Sequence, residues 1–110
     1  MELLHEDHNG LKTSHIENKT DGHSYMVESE NGKYRRMIQF QDGPVPANGI
    51  NGITNESLLA IVIHRTKVLD KKFGCNENKM AIEHMQKALD LFTERTMGRM
   101  ERGVEGKEVE

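Results

Sequence analysis

Six Asn-Gly or Asp-Gly pairs crowd the first half of the chain, at Asn9-Gly10, Asp21-Gly22, Asn31-Gly32, Asp42-Gly43, Asn48-Gly49 and Asn51-Gly52. Each favours a tight turn, because Gly reaches positive φ without steric cost and Asn or Asp tolerates it. A chain broken this often leaves no room for helices, so residues 1–43 are read as a small antiparallel β-sheet. The clearest hairpin centres on Asn31-Gly32. A two-residue loop there sets Glu28 opposite Arg35, Met26 opposite Met37 and Tyr25 opposite Ile38. One face then carries Tyr25, Val27, Tyr34, Ile38 and Phe40, with Arg36 interrupting it. The stretch from Leu3 to Glu17, turning at Asn9-Gly10, supplies two more strands.

The pattern changes after residue 43. Residues 44–53 include both prolines, Pro44 and Pro46, and read as a connector to a helical part, residues 54–110. Thr54 is placed to cap a helix from Asn55 to Leu69, with Glu56 favoured in its first turn by the helix dipole. Leu58, Leu59, Ile61, Val62 and Ile63 make that helix apolar nearly all round, which demands burial on more than one side. A lone helical hairpin does not provide it. After a loop from Asp70 to Cys75, Asn76 is the expected N-cap of a second helix that runs to Arg102, where Gly103 stops it. Along it Ile82, Met85, Leu89, Phe92, Thr96 and Arg99 recur at steps of three and four, a seam extended backward by Asn78. The fold expected is α+β: the sheet, then a two-helix hairpin that assembles into a homo-oligomer.

Composition supports association. The 110 residues are 35% hydrophobic and 5% aromatic, without Trp, so the core of one small domain must rest on aliphatics and seven Met. A multi-domain enzyme is excluded at this length. The net charge of −3 argues against a protein held to nucleic acid by summed positive charge. Cys75, the single cysteine, permits neither an internal disulfide nor a Cys-based zinc site and fits a reducing interior. No apolar run approaches the ~18 residues of a membrane span, and the N-terminus lacks a signal-peptide layout, so a cytoplasmic protein is expected.

Arg95, Arg99 and Arg102 fall within roughly 60° of one another on the second helix and form one cationic face. The positions three and four residues from Arg95 and Arg99 carry no carboxylate, and the two arginines repel each other at i,i+4. Arg99 also lies on the seam. Something anionic is therefore expected beside them: either acidic side chains of the protein or a phosphate or pyrophosphate ligand, whose oxygens the guanidinium fork matches in pairs. Asn78 either reads a base or ribose edge or bonds to local backbone. Phe73 either stacks on a base or plugs the interhelical loop. No phosphate-cradling glycine motif, nucleophile elbow or paired-carboxylate arrangement is present, so no catalytic residue or cofactor is expected. The six His are scattered, and no metal site is expected.

Three segments carry a resemblance: Asn51 to Ile63, then Phe73-Gly-Cys-Asn-Glu-Asn78, then Arg95-Thr-Met-Gly-Arg-Met-Glu-Arg-Gly-Val-Glu-Gly106. Over roughly the last 60 residues the chain resembles the phage Thoeris anti-defence nucleotide-sponge family, whose helical hairpin domain is shared with the anti-CBASS cyclic-nucleotide sponge. The resemblance implies a non-catalytic oligomer, a hexamer in characterised relatives, acting in the cytoplasm of an infected bacterium. Its ligand would be the cyclised ADP-ribose signal made by TIR proteins, and some relatives also bind cyclic di- or trinucleotides. Asn78 matches a ligand-contacting Asn of the family, and Arg95 and Arg99 match two arginines that hold the ligand. Arg102 closes the same motif. Where relatives carry a base-stacking aromatic between the helices, the nearest position here is Leu69, so Leu69 or Phe73 would cover the base. His64 stands where relatives carry an Asp before Arg65.

Overall fold

The computed structural model describes residues 1–18 and 20–103. Contacts divide the chain into two units, Met1–Ile53 and Thr54–Glu110. In the first, β1 (Glu2–Glu6), β2 (Lys12–His15), β3 (Ser24–Glu28) and β4 (Arg35–Gln39) form an antiparallel meander in which chain neighbours are sheet neighbours. β3 and β4 take the expected register, with Glu28 opposite Arg35, Met26 opposite Met37 and Tyr25 opposite Ile38. Glu28 and Arg35 are joined by an ion pair of 3.2 Å.

The turn that sets this register differs from the expected one. Its closing pair is Ser29 and Tyr34, which leaves a four-residue loop, Glu30 to Lys33, instead of two residues. Gly32 alone adopts positive φ, at 74°, whereas a primed two-residue turn needs Asn31 there as well. The Asn31 side chain explains the outcome. Its Oδ1 accepts from the Lys33 N–H at 3.0 Å and from the Ser29 hydroxyl at 2.8 Å, so the Asn builds the turn with its amide instead of its backbone. Arg36 does interrupt the apolar face, and it does so by laying its guanidinium 4.5 Å from the centre of the Tyr34 ring.

The middle of the sheet is polar and hydrogen-bonded. Ser14, His15 and Ser24 are buried beside Met26, and Ser24 donates to Gln39 Oε1 across the β3–β4 pair at 2.6 Å. His15 Nε2 accepts the Gly22 N–H at 3.0 Å, while its ring packs 5.4 Å from Tyr25. These bonds satisfy groups that would otherwise be costly to bury. Residues 44–53 contain a single helical turn, α1 (Val45–Asn48), in a region read as free of helix. Beyond it the chain returns to the sheet, where Ile53 donates to Gln39 and accepts from Gln41 in a parallel bridge beside Phe40.

The second unit is a hairpin of α2 (Asn55–Lys72) and α3 (Asn76–Glu101). Thr54 caps α2 as expected, its hydroxyl accepting the Ser57 N–H at 3.1 Å. α2 runs three residues beyond the expected Leu69, because Asp70 serves the turn from within the helix. Its carboxylate accepts the Cys75 N–H at 3.2 Å and the Lys79 ammonium at 3.2 Å, tying the loop to the start of α3. The cap of α3 is Cys75 and not Asn76, since the Cys75 sulfur accepts the Asn78 N–H at 3.4 Å. At the far end Gly103 leaves the helix with φ of 72°. The seam is where α3 leaves solvent: Asn78, Ile82, Met85, Leu89, Phe92 and Thr96 are half-buried and Arg99 is buried. α2 withdraws a stripe of Leu59, Ile63, Thr66 and Asp70, whereas Ile61, Val62, Val68 and Leu69 stay exposed on another side.

Candidate functional site

The expected ligand residues fall at the hairpin turn and at the C-terminal end of α3. At the loop end, Asn78 is half-buried and its backbone N–H is held by the Cys75 sulfur. Phe73 caps α2 and is 77% exposed, so it is no plug for its own hairpin. Leu69, one turn earlier, is exposed too, and its carbonyl accepts the Phe73 N–H at 2.8 Å. Leu69 and Phe73 are thus exposed around the hairpin turn, while the Asn78 side chain bonds to the Asp70 carboxylate.

At the other end stand Arg95, Arg99 and Arg102. α3 has 26 residues against 18 in α2. Arg95 and Arg99 lie in the last two turns of α3, and Arg102 is its C-cap. Arg95 and Arg102 are exposed, while Arg99 is only 7% exposed on the seam side. Neither Arg95 nor Arg99 is without an interaction partner in the folded chain. Arg102 turns back along the helix, its Nε donating to the Gly98 carbonyl at 3.4 Å.

The structure brings the arginines together and keeps them from Asn78. Seventeen residues separate Asn78 from Arg95, about 26 Å at 1.5 Å per residue.

Gly98 belongs to the Arg95-to-Gly106 run but has no role in the sequence reading. It lies inside α3, between Arg95 and Arg102, where Gly is roughly 0.5–1 kcal/mol less favourable than Ala. A Cβ built on it meets nothing within 4 Å among the described residues. The available signal was a glycine inside an otherwise unbroken helical pattern. Elsewhere, among the described residues, no three His, Cys, Asp or Glu side chains cluster as metal ligands. No described helix is long and apolar enough to cross a membrane.

No protein-family model matches the chain. Over 70 residues it is 46% identical to Thoeris anti-defense 1 of Bacillus phage SBSphiJ7. The likeness supports the Thoeris anti-defence family. The alignment takes in 63% of this chain and 49% of that relative, so the chain spans about half the length of the protein it matches.

Proposed function

We propose that this chain is a phage-encoded inhibitor of Thoeris immunity that binds and sequesters a cyclic ADP-ribose signal in the host cytoplasm without cleaving it. The observation that carries the reading is the arginine face at the C-terminal end of α3, remote from Asn78, Leu69 and Phe73 at the hairpin turn. When two hairpins lie antiparallel, the arginines of one meet the loop end of the other. The pyrophosphate then lies against Arg95 and Arg99, whose planar forks match its oxygens, with Arg102 at the margin. Asn78 orients the nucleoside, and Leu69 or Phe73 covers the base. The exposed Ile61, Val62 and Val68 of α2 supply apolar surface for an assembly, a hexamer on the family pattern.

Sequestration needs affinity and no turnover. Nanomolar capture corresponds to ~12 kcal/mol, and one charge-assisted arginine contact contributes roughly 1.5–3 kcal/mol. Calorimetry with cyclic ADP-ribose isomers tests this directly. Arg95→Ala and Arg99→Ala should each weaken binding roughly ten- to hundredfold while the assembly stays intact. Ligand released unchanged on heating is the signature of storage, whereas an isotherm unaltered by both substitutions refutes their role. A further ligand class, cyclic di- or trinucleotides, is read out in the same titration.

A second reading treats the chain as a non-catalytic assembly module with no nucleotide ligand. It is favoured by the engagement of Arg95 and Arg99 within the folded chain. Under it, both arginine substitutions loosen the fold or the oligomer, and no isomer produces heat.

A further inference from the structure

We infer that His15 is a proton-operated switch in the turn between β2 and β3: its Nε2 accepts the Gly22 N–H when the imidazole is neutral and donates to the Asp21 carboxylate when it is charged. His15 ends β2 and is 8% exposed. A backbone N–H can only donate, so the 3.0 Å bond from Gly22 leaves Nε2 without a proton. The ring hydrogen of the neutral form then sits on Nδ1, which faces Glu2 Oε1 at 3.5 Å. Protonation makes Nε2 a donor and sets it against the Gly22 N–H, so that bond must break. Asp21, the residue before Gly22, already holds Oδ1 4.0 Å from the same nitrogen. A shift of about 1 Å brings the two into hydrogen-bond range.

The surroundings favour an exchange of partners over ejection of the ring. Glu2 lies opposite His15 from β1, Tyr25 opposite it from β3 with ring centres 5.4 Å apart, and Asp21 reaches it from the turn. Two carboxylates thus supply the counter-charge that a buried imidazolium needs. Asp21 Oδ1 also accepts the Asn18 N–H at 3.4 Å, which keeps the carboxylate within the turn. Gly22 has a φ of 87°, and the wide range open to glycine lets the turn readjust while the strands stay paired. The change reaches further along the chain. Thr20 donates its hydroxyl to Asp42 Oδ2 at 2.7 Å, and His23 Nε2 lies 3.6 Å from Asp42 Oδ1. The backbone N–H and carbonyl of Asp42 both bond to the Asn51 side chain at 2.8 Å. The switch therefore acts on the connector that leads to α2.

The test is NMR of the full ¹⁵N-labelled chain between about pH 8 and pH 5, the range over which histidine side chains change charge. At the alkaline end His15 should carry its proton on Nδ1. On acidification the Gly22 amide should shift with the midpoint of the His15 ring and lose roughly tenfold in exchange protection, while Met26 in β3 keeps its own. Asp21→Asn should move the Gly22 midpoint to lower pH, because the charged form loses its acceptor. His15→Gln keeps an acceptor that does not titrate and should leave the Gly22 amide independent of pH. A Gly22 amide that stays unchanged while His15 titrates overturns the switch, as does a His15 ring that stays neutral to the acid end. Loss of Met26 protection together with Gly22 overturns it too, since that marks unfolding of the sheet. Should His15→Gln fail to fold, Asp21→Asn decides alone: an unmoved midpoint refutes the exchange.

Discussion

Asp70 shows how one side chain joins two helices. Its carboxylate accepts the Cys75 N–H and the Lys79 ammonium, and these bonds, the backbone one first, hold its pKa below the ordinary 3.8. A depressed carboxylate contributes stability that is present at neutral pH and lost as pH falls through the lowered value. The wild-type hairpin should therefore lose stability more steeply below pH 3.8 than Asp70→Asn. Acid titrations followed by circular dichroism check this, and parallel curves would show that the carboxylate carries no charge-dependent role. At the same scale the caps reveal what residue type alone conceals. Both Cys75 and Asn76 can accept a helical N–H, and the choice of Cys75 follows from where Asp70 draws the chain back.

Elements are positioned by close backbone approach as much as by side chains. Gly52 sits where a Cβ would lie 2.4 Å from the Phe40 carbonyl carbon and 2.6 Å from the Gln39 oxygen, both backbone atoms unable to yield. Gly52→Ala should break the bridge between Phe40 and Ile53 and destabilise the β unit by roughly 1–3 kcal/mol, read as a lower urea midpoint with an unchanged slope. The helical seam and the β3–β4 register were legible because each depends on a short period that neighbouring residues enforce. The turn between Glu30 and Lys33 was not, since Asn-Gly suits both a primed two-residue turn and an Asx turn. The latter wins through Ser29, whose hydroxyl bonds to Asn31.

At the scale of the molecule, the buried apolar residues among those described are Met26 and Ile63, at 8% and 5% exposure. That is little for two units of this size, and Ile61, Val62 and Val68 remain in water. An assembly covering them makes stability depend on protein concentration. The wild-type melting temperature should rise with concentration, and Ile61→Glu should abolish that dependence while lowering the mass seen by light scattering. A concentration-independent transition at monomer mass would refute assembly through α2.

The amino-acid order by itself determined the α+β class, the β3–β4 register, both long helices, the seam of α3 and the grouping of three arginines on one face. All of these follow from local periodicity, turn chemistry and capping, which act over a few residues. Tertiary structure decided the rest: the length of α2, the identity of the second cap, and the return of residues 44–53 to the sheet. Capping and turn closure depend on which side chain reaches which backbone group once the chain has folded back, and local pattern does not encode that.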